Sequence, residues 1–212
     1  LIFNLIWNRE DIMPIEKLLE NLDVPTIIVF SIVGISLLTY IVVKISGMVV
    51  KKKLAPLAEM LNAEIKSSFL GGTYVNIMNY GPEIHLKLTL GGKDNPSFLI
   101  LEFLNPIGFN FRIMKKQALN QILFRWGEEV QFGDASLDEN YIIRSDKPEE
   151  ASSYLMYTRR LDAIKYFFEN NFTSIEANAK GVYVKKANYT EEDLVPGKVG
   201  AYLNNLNSFS RM

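Results

Sequence analysis

The chain has a single histidine, His85, and no cysteine. That excludes a thiolate nucleophile, a disulfide, a multi-histidine metal centre and any zinc or iron-sulfur site built on Cys. His85 falls on the polar alternation of a strand-like run, and Glu102 and Arg112 fall on later runs where they could share its face. Proton-transfer chemistry therefore has one constellation to work with, His85, Glu102 and Arg112. A salt-bridged, solvated sheet face accounts for the same pattern and is the preferred reading. No Ser-His-Asp set, HExxH or paired-carboxylate arrangement stands beside it, so the chain is read as a non-enzyme without a cofactor.

Other candidate chemistry reduces to turn and surface features. Asp134, Ser136 and Asp138 place side-chain oxygens at alternate positions, as a calcium loop begins. Glu139 then stands where the sharp turn needs Gly, and Ser145 where the bidentate Glu belongs. The expectation is a turn capped by Asp side chains. Gly71-Gly72 and Gly91-Gly92 fit no phosphate-loop frame, and the second pair joins two strand-like runs, so both are read as turn glycines. Arg159-Arg160 and Lys185-Lys186, with Tyr157 and Tyr183 nearby, are basic pairs of the kind that meet lipid headgroups or nucleic acid. Exposed, solvated pairs are the plainer reading. With a formal net charge of −1, no protein-wide basic field draws nucleic acid. Phe109, Phe111, Phe124, Trp126, Phe167 and Phe168 are assigned to core rather than to a ligand pocket.

The element that must position everything else is Val24 to Val43, which has no charge between Asp23 and Lys44. At about 1.5 Å per residue it reaches about 30 Å, the hydrocarbon thickness of a bilayer. It is read as an uncleaved single-pass transmembrane helix, because the apolar run is too long for a secretory signal and Lys44 follows at once. Lys44, Lys51, Lys52 and Lys53 flank its C-terminal side without an acid among them, whereas Arg9 and Lys17 lie among acids. The large domain is thus expected on the cytoplasmic side of a cell inner membrane, with the lysines suited to anionic lipid. Ser31, Gly34 and Ser36 offer a thin face for a neighbouring helix, or simply small residues tolerated in a lone anchor.

Residues 1–23 are expected to form an N-terminal interfacial segment. The sequence opens at Leu1, and two readings stand side by side. Met13 is the start and the residues before it come from upstream codons, or those residues lie in the interface with Trp7 at headgroup level. From Pro14, the spacing of Ile15, Leu18, Leu19 and Leu22 predicts a short amphipathic helix that docks on the membrane surface or a partner.

Residues 44–54 are expected to be a basic juxtamembrane linker, and 55–212 the soluble domain. Leu54, Leu57, Ala58, Leu61 and Ile65 predict a helix with Pro56 in its first turn. Strands are expected at Thr73 to Met78, Glu83 to Leu90, Ser97 to Leu104 and Phe109 to Met114. The connections are short and rich in Gly, Pro and Asn, which predicts a four-strand antiparallel meander. Leu119, Ile122, Leu123 and Trp126 predict a helix over Lys115 to Trp126. Beyond it come a strand at Tyr141 to Ser145, one long helix over Pro148 to Asn170, a hairpin of Phe172 to Ala177 with Val182 to Lys186, a capping arrangement of Thr190 and Asp193, and a final helix after Pro196-Gly197. The fold class is α+β: one N-terminal transmembrane helix, then a soluble domain with an antiparallel sheet packed against helices.

The stretch GDASLDENYIIRSDKPEEASSYL, from Gly133 to Leu155, resembles a pattern in uncharacterised prokaryotic membrane-anchored proteins. In that pattern a Gly-Asp, a second Asp, an aromatic, a strand and a Pro-led helix precede a hairpin and a last helix. The resemblance covers about half of the soluble part, with Leu137 where an aromatic residue is expected. It implies the fold and the anchoring, and brings no activity with it. The resulting expectation is an interaction module, an accessory or assembly subunit of a membrane complex with protein partners. A membrane-tethered domain that binds a small molecule or lipid is the alternative, and an enzyme with an unrecognised site comes third.

Overall fold

A computed structural model of the 212-residue chain describes residues 24–68, 72–116 and 127–210. Trp7 and the Ile15, Leu18, Leu19, Leu22 stripe lie outside the described residues, as does most of the helix expected over Lys115 to Trp126. The chain divides into two compact units, Leu1–Ile45 and Ser46–Met212.

The described part of the first unit belongs to α1, Val24–Met60. This helix is long and apolar enough to cross a membrane, and its most apolar window is entirely unburied. Ser36 Oγ donates to the Ile32 carbonyl (2.7 Å) and Thr39 Oγ1 to the Ile35 carbonyl (2.8 Å), so neither hydroxyl needs water.

The second unit contains the last turns of α1 and a nine-stranded antiparallel sheet, in an α+β fold. Residues 44–54, expected to be a linker, are instead helical, and Val50 and Leu54 are buried in the core. Pro56 sits inside the helix rather than in its first turn. The missing N–H deprives the carbonyl of Lys52, which lies in an exposed lysine run where water can replace it. The helix stops at Met60, Asn62 takes a left-handed φ of 48°, and the chain enters β1, Glu64–Ser68, so Ile65 belongs to a strand and not to the expected helix.

The remaining strands are β2 Gly72–Ile77, β3 Ile84–Thr89, β4 Phe98–Phe103, β5 Phe111–Lys115, β6 Glu128–Val130, β7 Tyr141–Ser145, β8 Ser174–Asn178 and β9 Gly181–Ala187. Their order is β1-β2-β3-β4-β9-β8-β5-β7-β6. The first four strands pair as a meander, but β5 does not continue it: the β8–β9 hairpin is inserted between β4 and β5. The seven residues Leu104–Asn110 make this possible, since they reach about 23 Å when extended and three strand spacings need only about 14 Å. Turn-like composition with Pro106 and Gly108 was compatible with either route. Strands β1 and β6, both at sheet edges, carry too few apolar residues to announce themselves.

Helices α2 Ala135–Asn140, α3 Pro148–Leu155, α4 Thr158–Glu169 and α5 Pro196–Leu206 complete the unit. The single helix expected over Pro148 to Asn170 breaks at Tyr157, whose backbone is extended (φ −65°, ψ 126°). Arg160 Nη1 donates to the Tyr154 carbonyl at 2.8 Å and satisfies the end of α3, and its Nη2 donates to the Ser210 carbonyl. Inward strand residues such as Val75, Leu86, Leu101, Ile113, Ile175 and Val184 form one core with Leu54, Leu57, Phe167, Tyr202 and Leu206 from the helices. Period two sends the alternate strand residues to the opposite face.

Candidate functional site

That opposite face carries a polar row that crosses almost the whole sheet. Asn76, His85, Glu102, Tyr183, Glu176, Arg112, Arg144 and Glu129 are successive register partners on β2, β3, β4, β9, β8, β5, β7 and β6. From Asn76 to Arg144 each is an outward position whose neighbours along the strand are buried, and at the edge Glu129 precedes the buried Val130, so alternation places them and the register lines them up.

Two groups stand out along the row. At the β3 end, His85 Nε2 lies 2.9 Å from Glu83 Oε1 and its Nδ1 lies 3.7 Å from Glu102 Oε2. Lys87 Nζ contacts the same Glu102 oxygen at 2.6 Å, and the Tyr74 ring packs on His85 with centroids 4.2 Å apart. The hydrogen bond from His85 holds the Glu83 carboxyl below its ordinary value. Toward the middle, Glu176 Oε1 accepts from Ser174 Oγ (2.9 Å), and its Oε2 accepts from Tyr183 OH (2.7 Å) and Arg112 Nη2 (2.5 Å). Burial, then the bond to Glu176, pushes the Tyr183 phenol up to about 12, so it remains a donor near neutrality.

Arg112 is therefore not part of a cluster with His85 and Glu102. Strands β9 and β8 lie between β4 and β5, and the four strand spacings from His85 to Arg112 amount to about 19 Å. His85 and Glu102 do meet. Sequence order could not reveal the insertion that separates Arg112 from them.

A cleft of about 330 Å³ opens over the middle of the row, lined among others by Ile100, Glu102, Leu104, Arg112, Glu176, Lys180, Tyr183 and Lys185. One end is shaped by the β8–β9 turn. Gly181 has φ 148°, and a Cβ there would lie 2.0 Å from the Phe103 carbonyl oxygen, so only glycine lets the hairpin approach β4 this closely. The signal for this site in the sequence is the outward alternation of Glu102, Arg112, Glu176, Tyr183 and Lys185, visible only once the strand order is known.

The basic pairs come apart. Lys185 is outward, with Nζ 3.9 Å from the centre of the Phe98 ring, while Lys186 points inward to Asp193 at 2.7 Å. Asp193 Oδ1 also accepts from Tyr202 OH (3.0 Å), and its Oδ2 accepts from the Thr190 N–H (3.0 Å) in the capping box expected of Thr190 and Asp193. Burial alone would raise the Asp193 carboxyl. The hydrogen bonds from Lys186, Thr190 and Tyr202 outweigh it and lower the value to about 2. Arg160 is buried and stacked 3.8 Å over the Tyr154 ring, which leaves only Arg159 of that pair exposed.

The calcium-like stretch is used by the protein itself. Asp134 Oδ1 accepts from the backbone N–H of Ser136 and Leu137 and so caps α2, while its Oδ2 pairs with Lys165 Nζ at 2.7 Å. Asp138 accepts from the N–H groups of Phe132 (2.7 Å) and Gly133 (3.0 Å). Among the described residues, no group of three or more His, Cys, Asp or Glu is arranged to hold a metal ion. The Lys165 bond holds the Asp134 carboxyl far below the carboxylate range.

Along α1, Lys44, Lys51, Lys52 and Lys53 are exposed. Lys44 Nζ lies 5.7 Å from the Tyr40 ring centre, and Lys53 Nζ lies 5.9 Å from that of Tyr189. Ser31 and Ser36 are exposed too, and a Cβ on Gly34 would meet nothing within 4 Å.

An antiparallel α+β domain that begins with the end of a long apolar helix is the class of protein that fold and surface define. No known protein family matches the sequence, and no curated protein matches it either. Among solved structures, the fold is similar to that of the mycobacterial trehalose monomycolate transport factor A, TtfA, with a TM-score of 0.52 at 8% sequence identity. The match covers 76% of this chain and 93% of the other.

Proposed function

We propose that this chain is a single-pass, non-catalytic accessory or assembly subunit of a membrane complex, held in the bilayer by Val24 to Val43. The observation that carries this reading is α1 itself. Its apolar window is wholly unburied, while Val50, Leu54 and Leu57 of the same helix are core residues of the domain that follows. Membrane anchoring and domain folding thus share one element. The lysine asymmetry supports an inner-membrane protein with its domain on the cytoplasmic side and anionic lipid near Lys44 and Lys51 to Lys53. The resemblance of Gly133 to Leu155 to prokaryotic membrane-anchored proteins agrees with this reading.

Mild-detergent purification of the tagged full-length chain tests it. A large stoichiometric assembly with other chains is the expected result, and a chain that runs alone overturns the subunit reading. Protease added to sealed inverted vesicles is expected to digest the domain, and its protection there overturns the orientation.

A second reading, a membrane-tethered domain that binds a lipid or small molecule, is favoured by the cleft over the polar row. The fold likeness to a protein named for trehalose monomycolate transport points the same way.

A further inference from the structure

The charges around the cleft do not cancel. Glu102 is matched by Lys87 at 2.6 Å, and Glu176 by Arg112 at 2.5 Å. Lys180 and Lys185 also line the cleft, and among the described residues neither has a carboxylate within ion-pair distance. Lys185 is held to the face by the Phe98 ring. Both carboxylates are thus already engaged by one cation each, which leaves two positive charges over.

Arg112 adds shape to this charge. Glu176 fixes the guanidinium through Nη2, and Ser174 and Tyr183 in turn hold Glu176, yet the Arg112 side chain is still 41% exposed. A guanidinium set in this way meets phosphate or carboxylate with little further ordering. Ile100, the register partner of Lys185, and Leu104 give the same cleft apolar wall. Its volume lies at the small end of the ligand-pocket range of about 300–1,000 Å³.

We propose that the cleft binds the acidic head of an anionic amphiphile, a phosphate or carboxylate set against Lys180, Lys185 and Arg112, with the first part of its chain along Ile100 and Leu104. This deepens the second reading above and does not depend on any partner chain.

The test is calorimetric titration of the full-length chain in phosphatidylcholine nanodiscs with hexyl phosphate, inorganic phosphate and hexanol, empty discs being subtracted. Hexyl phosphate is expected to saturate one site and the other two probes to bind at least about tenfold more weakly. The double substitution Lys180→Gln, Lys185→Gln removes two part-exposed ion contacts and is expected to weaken hexyl phosphate by about tenfold, with the unfolding midpoint unchanged. Failure of hexyl phosphate to saturate, or equal binding by the double variant, overturns the proposal. Inorganic phosphate binding as tightly as hexyl phosphate makes this a free-anion site and overturns the amphiphile. Hexanol binding as tightly, and indifferently to the lysines, overturns the acidic head while leaving a ligand-binding domain in place.

Discussion

Asp193 and Glu176 are two carboxylates with nearly the same company on opposite sides of one sheet. Each accepts a tyrosine hydroxyl and a close cation, Tyr202 and Lys186 for Asp193, Tyr183 and Arg112 for Glu176, and Asp193 Oδ1 has a second, longer contact with Lys198 Nζ at 3.3 Å. They differ in what happens to the cation. Lys186 is only 7% exposed and points into the core, whereas the Arg112 side chain emerges into the cleft. The enclosed Lys186–Asp193 pair holds the last helix and the Glu191–Leu194 turn to β9, and Lys198 of that helix, 39% exposed, is only its longer contact. A pair whose cation reaches solvent can stabilise the sheet and still meet a ligand. The same residue chemistry therefore reads as structure on one face and as a recognition surface on the other, and exposure decides which.

Removing the inner carboxylate breaks the comparison at its strongest point. Asp193→Ala strands Lys186 in the core with no counter-charge, and it also removes the acceptor for Tyr202 and for the Thr190 N–H. The expected loss is about 3–5 kcal/mol, read as a lowered midpoint in chemical unfolding of the full-length chain. A loss below about 1 kcal/mol would mean that water reaches Lys186 freely, and the two sides would no longer differ in kind.

Acid titrates the same pair more gently. The Asp193 carboxyl sits at about 2 when folded and near its ordinary 3.8 when unfolded, so between these values the unfolded chain binds more protons. Its contribution is complete above about pH 4 and is lost as pH falls through about 2, a change of about 2 kcal/mol. Comparing unfolding midpoints of the wild type and Asp193→Asn across pH 2–5 isolates it. The wild-type profile is expected to fall more steeply with acid, and parallel profiles would remove Asp193 as the source.

What the sequence made legible follows from how local each feature is. The alternation of Ile84, Leu86 and Leu88 with His85 and Lys87 places β3 and its two faces without further help. The capping partners Thr190 and Asp193 are three residues apart and were equally readable. Lys185-Lys186 was open to a better reading, since adjacent residues on a strand must point to opposite faces and cannot form one basic patch. The row from His85 to Glu129 was not readable, because it depends on the β8–β9 hairpin entering between β4 and β5. Nothing within Leu104–Asn110 specifies that choice. Pairings between segments far apart in sequence are settled by the shared core, and the inward apolar residues of β5, β8 and β9 are too alike to dictate their order.

The smallest effect is expected from Glu176→Gln, and it sharpens the contrast most. Glutamine can keep its carbonyl oxygen toward Tyr183 and Arg112 and turn its NH2 toward the Ser174 hydroxyl, which then accepts, so neither hydroxyl is left orphaned in the sheet. Arg112 loses its counter-charge, but its side chain is two-fifths exposed and rehydrates where it stands. The cost should be about 1 kcal/mol, well below that of Asp193→Ala. Tyr183 provides a second, independent readout. Its phenol is raised first by burial, which the substitution leaves in place, then by the Glu176 hydrogen bond, which becomes one to a neutral and weaker acceptor, and then by the Glu176 charge, which it removes. Its titration, followed by NMR of labelled tyrosine, should therefore move down from about 12 while staying above that of a free tyrosine. A loss of stability as large as that of the inner pair would show that Arg112 is as enclosed as Lys186. The open face would then be a second structural cluster, with no guanidinium to present to a ligand.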